Sequence, residues 1–439
     1  MQTQLQNSET NCEPAKSKSL LQKLGPGLIT GASDDDPSGI ATYSQAGAAY
    51  GFGLLWTMIL TFPLMSAAQE ISARIGRVTG RGLAGNICRY YSAWLLYPIV
   101  FLLVLANTIN IGADIGAMGE GLQLLIGGWA LLYTILFAVL CLVLQIFIPY
   151  KTYSSYLKWL TLVLFSYVAT VFFMHVPWKD ALKGTFIPSL QKNGDYWATF
   201  IAILGTTISP YLFFWQASQE TEEIRDKAED EPLKKAPEQA PAQFDRIKFD
   251  TYAGMFLSNA VAFFIILSAA VTLHVKGITD IETSSQAAEA LRPIAGQFAF
   301  ILFAMGIVGT GLLAVPVLAG SAAYAVGEAM KWPTGLDRKP LEAKGFYSVV
   351  AIATLIGMAI NLPKVQKHIH LTPLKALFWS AVINGIVAVP IMVVMMLMIS
   401  NPKVMKQFCH SSPVLRMIGW IATVVMALAA IGMFLTWKQ

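Results

Sequence analysis

The chain has 439 residues, of which 55% are hydrophobic and only 13% are charged. Soluble proteins carry about a quarter charged residues, so a soluble multidomain protein is excluded, as are collagen-like and disordered chains. The apolar residues occur in blocks of roughly 20, the length that crosses ~30 Å of hydrocarbon. We therefore predict an all-α membrane protein, whose net charge of +5 reflects basic residues at one membrane face rather than nucleic-acid binding.

The N-terminal segment, residues 1–24, is polar and has no apolar core, so we expect a cytoplasmic tail without a cleavable signal peptide. The four cysteines are scattered along the chain, and the five histidines fall at or near predicted span ends. No disulfide framework, cysteine-based metal site or cofactor is therefore expected.

Eleven membrane spans are predicted along the chain. They cover residues 25–49, 52–75, 93–119, 127–148, 156–176, 197–217, 250–274, 296–329, 345–362, 374–400 and 413–436. With this arrangement, 22 of the 31 lysines and arginines share a membrane face with the N-terminus. The positive-inside rule then predicts a plasma-membrane protein with a cytoplasmic N-terminus and an extracellular C-terminus. The longest polar segment, 218–249, is expected to begin as a helix continuation and to form a cytoplasmic loop.

The first span is interrupted by residues 31–39, whose sequence is GASDDDPSG. Proline lacks a backbone donor and clashes with the preceding turn, so Pro37 predicts a helix break with Asp36 extended before it. A carboxylate near the bilayer centre costs at least ~2.5 kcal/mol, so three consecutive aspartates need a cation or water. A helix cap formed by Asp36 on backbone amides is the alternative.

The sixth span is interrupted in the same way by residues 205–211, GTTISPY. Broken backbone at membrane depth is tolerated where it lines a cavity or is buried in protein. Because the two breaks lie five spans apart, the two halves run in opposite orientations, as in inverted-repeat transporters. We expect the first repeat at 25–176, the second at 177–400, and an eleventh helix within 401–439. Two unrelated proline kinks are the alternative.

The two breaks together predict a cation site made only of oxygen ligands. Its expected members are Asp36, Asp35, Gly39, Thr206 and Ser209. No Cys, His or Met lies within either break, and such a lining favours Mg²⁺, with Mn²⁺ tolerated, over iron, zinc or copper. Hydrogen bonding to neighbouring backbone is the alternative role of Thr206 and Ser209.

Further polar residues inside predicted spans are expected to line the ion pathway or to bind ion-bound water. They are Asp34, Asp114, Tyr211, Gln216 and Asn384. Capping, polar pairing or hydrogen bonding between helices is the alternative for these side chains.

Several segments resemble the NRAMP family of divalent-metal transporters. Residues 25–27 (GPG), 36–42 (DPSGIAT) and 45–47 (QAG) are similar to its first helix, whose signature is D-P-G-N, then x-A-T and, after a gap, Q-A-G. Residues 73–81 (ARIGRVTGR) resemble its second-helix exit, and residues 205–216 resemble its sixth helix, whose core reads M-P-H. The resemblance covers most of the chain and implies the LeuT-type fold, with two inverted five-helix repeats plus one terminal helix.

This chain departs from the family pattern at positions that bind the metal ion or take part in proton movement in the family. Gly39 stands at the position of the family's metal-binding asparagine, and Ser209 stands at that of its sulfur ligand. Two sixth-helix histidines linked to proton movement correspond to Tyr211 and Gln216, and Ala117 replaces a third-helix glutamate. These changes resemble the NRAMP-related magnesium transporters, which implies Mg²⁺ and Mn²⁺ transport without evident proton coupling.

The predicted function is import of Mg²⁺, and also Mn²⁺, by alternating access, without proton coupling. A partly hydrated ion would bind between the unwound first and sixth helices. The expected partners are the transported cation and the lipid bilayer, and no enzymatic activity is expected. Open alternatives are a proton-coupled Mn²⁺/Fe²⁺ transporter of the NRAMP type, an amino-acid transporter on the same fold, a channel, and an intramembrane aspartyl hydrolase using Asp36 and Asp114.

Overall fold

A computed structural model describes residues 30, 31, 33–148, 152, 160–369, 372–410 and 412–436. The predicted N-terminal tail, together with residues 25–29 and 156–159 of the predicted spans, lies outside the described residues. The described part contains helices and connecting segments and no β-strand. The described part of the chain therefore has the all-α class predicted from the sequence.

The α-helices follow the predicted spans closely. In chain order, the first are α1 (Pro37–Tyr50), α2 (Trp56–Thr79), α3 (Leu83–Tyr90), α4 (Ala93–Ile126), α5 (Ala130–Phe147), α6 (Phe165–Phe172), α7 (Trp178–Phe186), α8 (Gly194–Thr207) and α9 (Pro210–Asp226). They continue with α10 (Ala240–Thr272), α11 (Ser284–Ala288), α12 (Arg292–Ala295), α13 (Ala299–Ala329), α14 (Lys344–Ile360), α15 (Pro363–Ile369), α16 (Pro373–Ile399), α17 (Pro402–Met405) and α18 (Pro413–Thr436).

The described helices are long and apolar enough for a membrane protein. Seven of them, with α8 and α9 taken together, could cross a bilayer, and an eighth span results if α1 and α2, which meet at 110°, are joined. Large apolar side chains such as Leu136 of α5 and Leu428 of α18 are exposed, as expected for faces in contact with lipid. The helices α6 and α14 are shorter, so the count of eleven spans and the repeat boundaries stay predictions.

The two predicted helix breaks are present. Asp36 is extended, with φ −67° and ψ 172°, and α1 begins directly after it with Pro37. Ser209 is also extended, and α9 begins with Pro210. Proline suits a first helical position because the N–H that it lacks needs no partner there. Each proline therefore starts a new helix segment inside the bundle.

The breaks lie in the interior of the helix bundle. Helix α1 packs against α10 and α16, α8 packs against α16, and α4 packs against α13, α14 and α16. Gly205 allows α8 to approach α16, since a Cβ atom built there would overlap the backbone of Ala381 and Gly385. Small residues at helix crossings permit such close contact in membranes. The helices α4, α10 and α16 thus surround the two breaks.

The polar segment 218–249 is more helical than the predicted loop. Helix α9 runs to Asp226, and the chain is non-helical only over 227–236. Arg246 of α10 lies with its Nη2 2.5 Å from Glu220 Oε2 of α9. The predicted helix continuation at the start of the segment is present, whereas the loop prediction is wrong for residues 237–249, where a short 3₁₀ turn leads into α10 at Ala240. Charged side chains of α9 and α10 pair with each other and stabilise these additional turns.

Candidate metal centre

Asp36 caps the start of α1 with its carboxylate. Its Oδ1 accepts hydrogen bonds from the Ser38 hydroxyl at 2.6 Å and from the Gly39 backbone N–H at 2.8 Å. Its Oδ2 accepts one from the Asn110 side-chain amide at 3.0 Å. An ionised carboxylate has about four acceptor positions. The capping role considered from the sequence is thus present, and it leaves acceptor capacity for a cation.

Asn110 of α4 and Ser380 of α16 extend this arrangement, and the sequence analysis did not select either. Ser380 Oγ lies 2.6 Å from Asn110 Oδ1 and 2.7 Å from Leu377 O, and both polar side chains are buried. Because a carboxylate only accepts hydrogen bonds, the amide nitrogen of Asn110 is assigned to the Asp36 side and its oxygen to the Ser380 side. One sequence signal was available: Asn110 precedes Asp114 by four residues, so the two share a helix face.

Asp34 and Asp35 converge on a single hydroxyl group of α10. Ser258 Oγ lies 2.7 Å from Asp34 Oδ2 and 3.1 Å from Asp35 Oδ1. Both aspartates are buried, and Asp34 Oδ1 has no hydrogen-bond partner among the described residues. A serine hydroxyl has one hydrogen to donate, so it satisfies one carboxylate at a time. Nothing in the local sequence of α10 marks Ser258 as their partner.

Asp114 is buried in α4, one helical turn beyond Asn110. Neither of its carboxylate oxygens has a hydrogen-bond partner within the described part of the chain. It is close enough to Asp36 for the two carboxyl groups to interact electrostatically. No lysine or arginine among the described residues forms an ion pair with it or with the aspartates at 34–36. Because an unpaired buried charge is costly, a cation would stabilise this region.

The second break lies directly against the first. The Tyr211 hydroxyl at the start of α9 donates a hydrogen bond to the Ser33 carbonyl at 3.1 Å. A Cβ atom built at Gly39 would lie 3.2 Å from Thr206 Oγ1 and 3.3 Å from Cε2 of Tyr43. The absence of a side chain at position 39 therefore allows α1 and the end of α8 to approach each other closely.

The Ser209 hydroxyl is hydrogen bonded to backbone carbonyls at the end of α8, whereas the Thr206 hydroxyl has no hydrogen-bond partner among the described residues. The Ser209 hydroxyl lies 2.8 Å from the Gly205 carbonyl oxygen and 2.7 Å from that of Thr206. This is the backbone-bonding role that the sequence analysis left open. Both oxygens keep lone pairs, since a carbonyl has two and a hydroxyl that donates its hydrogen still accepts. They can therefore still face an ion or its water.

Gln216 and Asn384 are buried amides with unused hydrogen-bonding capacity. Gln216 Oε1 accepts a hydrogen bond from the Thr30 hydroxyl at 2.5 Å, whereas its Nε2 has no partner among the described residues. Both amide atoms of Asn384 lack a partner in the same part of the chain. Buried polar groups are usually satisfied, so both amides are suited to water or to a hydrated ion.

The predicted site residues are thus close together but do not form a closed cage. Asp36, Gly39 and Thr206 lie where the two breaks meet, while Asp34 and Asp35 face α10. In the described ranges, no group of three or more His, Cys, Asp or Glu side chains is arranged to hold a metal ion. A cation bound at this place would also need backbone and amide oxygens and its own water.

A cavity of about 630 Å³ opens beside the end of α1 and the starts of α8 and α16. Its wall includes Gln45, Asp195 and Lys375. The Lys375 ammonium group pairs with Asp280, another wall residue, with Nζ 3.1 Å from Oδ2. The cavity wall is therefore polar and charged near one end of the broken helices.

The opposite end of the bundle, near the ends of α2 and α9, is held together by buried charged groups. Arg77 is fully buried, and its Nη2 lies 2.7 Å from Asp230 Oδ2. Glu328 of α13 accepts two backbone N–H groups at the start of α3, at 3.0 and 2.8 Å. The bundle thus has a cavity at one end and packed ion pairs at the other.

A family model and several curated proteins match this chain. The Nramp model, described as natural resistance-associated macrophage protein-like, matches residues 27–436. One relative is a Caldanaerobacter subterraneus subsp. tengcongensis protein named divalent metal cation transporter MntH. It is 27% identical over an alignment of 440 residues, gaps included, and the alignment covers 96% of this chain and 94% of that protein. A Klebsiella pneumoniae protein of the same name is 27% identical over 312 residues, covering 69% of this chain and 71% of the relative.

Solved structures share the fold. A variant of the Eremococcus coleocola manganese transporter matches with a TM-score of 0.74 at 17% identity, covering 95% of this chain and 87% of that one. MhsT in complex with L-phenylalanine matches with a TM-score of 0.60 at 12% identity, covering 94% and 97%. At these identities the likeness concerns the fold, and it confirms the predicted LeuT-type class.

Proposed function

We propose, from the premise that this chain belongs to the Nramp family, that it carries Mg²⁺, and also Mn²⁺, across the membrane by alternating access. The chain is an integral membrane transporter for divalent metal cations, as its relatives over nearly the whole length are named. Since these relatives are named as transporters, the aspartyl hydrolase considered from the sequence is set aside.

The observation that carries the magnesium proposal is the chemistry at the two breaks. Four buried carboxyl groups lie at them, none in an ion pair with a lysine or arginine of the described residues, and residues 33–39 and 205–211 contain no sulfur or imidazole. Mg²⁺ prefers such oxygen ligands, whereas softer transition metals gain more from sulfur and nitrogen. We assign the anchoring role to Asp36 and supporting roles to Asp35 and Ser209.

A partly hydrated ion fits the open arrangement at this place. Mg²⁺ loses its water reluctantly and usually keeps several water molecules when it binds to protein. The amide nitrogen of Gln216 and the amide group of Asn384, which have no partner among the described residues, support such an ion, because bound water can join these groups to it. In this proposal, Asp34, Asp114 and Tyr211 line the approach to the site.

Alternating access is supported by the difference between the two ends of the bundle. The cavity opens at one end beside α1 as far as Ala41, one helical turn beyond the first break, and the ion pair between Arg77 and Asp230 lies at the other end. With the N-terminus in the cytoplasm, the cavity would face outside and the ion pairs would face the cytoplasm. Uptake would then require opening of the Arg77–Asp230 contact.

Proton-coupled transport of Mn²⁺ is the second candidate, and the names of the relatives and structural neighbours favour its metal. A structural neighbour is a manganese transporter, and the curated relatives are divalent metal cation transporters. In this chain Tyr211, Gln216 and Ala117 offer no group that titrates near neutral pH, which is why we prefer uncoupled transport.

The experiment is ion flux into proteoliposomes that contain the full chain. Lumenal dyes would report Mg²⁺, Mn²⁺ and pH in parallel. We expect saturable Mg²⁺ and Mn²⁺ entry without lumenal acidification, and loss of both fluxes in Asp36→Asn. Asp245→Asn is the matched control, because this carboxylate is exposed at the start of α10, away from the cavity wall, and its loss should leave the fluxes nearly unchanged.

Mn²⁺ entry with acidification and without Mg²⁺ entry would overturn the magnesium proposal and favour the second candidate. Mg²⁺ entry that persists in Asp36→Asn would instead remove Asp36 as the anchor.

A further inference from the structure

We propose that Asn110 is a reversible ligand of the transported cation. Its amide oxygen would turn to an ion bound at Asp36, and its amide nitrogen would turn back when the ion leaves. This inference rests on the proposed function, in which Asp36 anchors the ion.

The starting arrangement is the one in the structure. The Asn110 amide donates to Asp36 Oδ2 at 3.0 Å and accepts from the Ser380 hydroxyl at 2.6 Å. These contacts join the break before α1 to α4 and α16. The Asn110 side chain is therefore adjacent to the carboxylate oxygen that an incoming cation would approach.

Ser380 allows the amide to rotate without leaving a buried group unsatisfied. Its hydroxyl lies 2.7 Å from the Leu377 carbonyl oxygen, so its hydrogen can move from Asn110 to that carbonyl. The Ser380 oxygen then accepts a hydrogen bond from the rotated Asn110 nitrogen. The terminal torsion of asparagine is broad and roughly two-fold, so both orientations are accessible.

A cation supplies the force for this rotation. A positive ion beside Asp36 Oδ2 repels the N–H group that now points to that oxygen, and it attracts the amide oxygen on the other side of the same group. Amide oxygens are suitable ligands for hard divalent cations. The rotation therefore replaces a repulsive contact with an ion–oxygen contact.

A second observation on α4 supports a cation at this face. Asp114 follows Asn110 by one helical turn, is fully buried, and has no hydrogen-bond partner for either carboxylate oxygen among the described residues. Residues four apart lie on the same helix face. The α4 face next to Asp36 thus carries one amide that can turn and one carboxylate with free acceptor positions.

The test measures Mn²⁺ binding to the purified full chain by calorimetry, with Mg²⁺ as a competitor. We expect Asn110→Leu, which has a similar volume and no polar atom, to weaken Mn²⁺ binding by roughly 10- to 100-fold. Asn110→Asp keeps an oxygen toward the ion but cannot donate to Asp36, and we expect it to bind at least as tightly as the wild type.

Asn107→Leu is the matched control. Asn107 is also a buried asparagine of α4 and donates to the Leu318 carbonyl and the Ser321 hydroxyl at 2.8 and 2.7 Å, away from Asp36. Its loss should lower thermal stability about as much as Asn110→Leu does, without changing Mn²⁺ affinity.

The outcomes separate this inference from the proposed function. If Asn110→Leu binds Mn²⁺ like the wild type while Asp36→Asn does not bind, Asn110 is not a ligand and the Asp36 site stands. If Asn110→Leu and Asn110→Asp both fold and both lose binding, Asn110 only positions Asp36 by donating to it, which also overturns the ligand role. Normal binding by Asp36→Asn would overturn both proposals.

Discussion

Replacing Asp36 with asparagine separates its two possible roles, as the cap of α1 and as the anchor of a cation. Asparagine and aspartate are equally good helix caps. The single side-chain oxygen in Asp36→Asn could still accept from the Ser38 hydroxyl and the Gly39 N–H, which Asp36 Oδ1 does at 2.6 and 2.8 Å. The new amide nitrogen replaces Oδ2, so Asn110 must turn its oxygen toward it, which the Ser380 hydroxyl permits by donating to the Leu377 carbonyl instead. We therefore expect the free energy of unfolding to change by less than about 1 kcal/mol.

The effect on the cation should be much larger. A divalent ion ~5 Å from a carboxylate is attracted by about 7 kcal/mol at an effective dielectric constant of ~20. Desolvation offsets much of this, and a hydrogen bond to a charged group contributes a net ~1.5–3 kcal/mol. Because ~1.4 kcal/mol corresponds to a factor of ten, the Kd for Mn²⁺ should rise at least about tenfold.

The assay combines calorimetric Mn²⁺ titration with thermal unfolding of the same sample. Asp36→Ala removes both the cap and the charge, so it should lose affinity and also about 0.5–2 kcal/mol of stability. If Asp36→Asn kept wild-type affinity while Asp36→Ala was only less stable, Asp36 would be a helix cap and the anchoring proposal would be refuted.

Two further substitutions test the ion pair at the end of the bundle and the packing beside the first break. Asp230→Asn leaves the fully buried Arg77 without its charged partner, so it should lower the free energy of unfolding by up to about 3–5 kcal/mol. Glu231→Gln, at the exposed neighbouring position, is the control and should have little effect in thermal unfolding. Equal melting temperatures for the two variants would contradict this prediction. Gly39→Ala places a methyl group 3.2 Å from Thr206 Oγ1 and 3.3 Å from Tyr43 Cε2, so α1 and the end of α8 must move apart to admit it. Mg²⁺ flux in proteoliposomes should fall several-fold while the protein stays folded in thermal unfolding, and wild-type flux would show that the close contact at residue 39 is not needed.

The two helix breaks show which structural features can be predicted from neighbouring residues alone. Pro37 and Pro210 predict their breaks because proline restricts its own backbone and that of the residue before it, and both effects act within a few residues. The extended Asp36 follows from the same local rule. The oxygen-only chemistry of the breaks is likewise a property of the residues themselves.

The partners of these carboxylates could not be predicted in the same way. Asn110 of α4 and Ser258 of α10 contact the aspartates at sequence separations of 74 residues or more, and Ser380 of α16 contacts Asn110. A hydrophobic pattern indicates which residues are apolar, but it does not say which helices are neighbours. The helical end of segment 218–249 was missed for a related reason, since Arg246 reaches Glu220 of α9 only when α10 folds back beside it.

The low charge of the chain, its apolar blocks and the prolines at positions 37 and 210 determined by themselves that it is a helical membrane protein with two interrupted spans. They also determined that three aspartates lie at one interruption, because these are properties of composition and of neighbouring residues. Only the tertiary structure decided that Asp36 is held by Asn110, that Asp34 and Asp35 share Ser258, and that Asp114 has no hydrogen-bond partner among the described residues. The physical reason is that burial and hydrogen bonding depend on which helices pack together, and that packing is a property of the whole bundle.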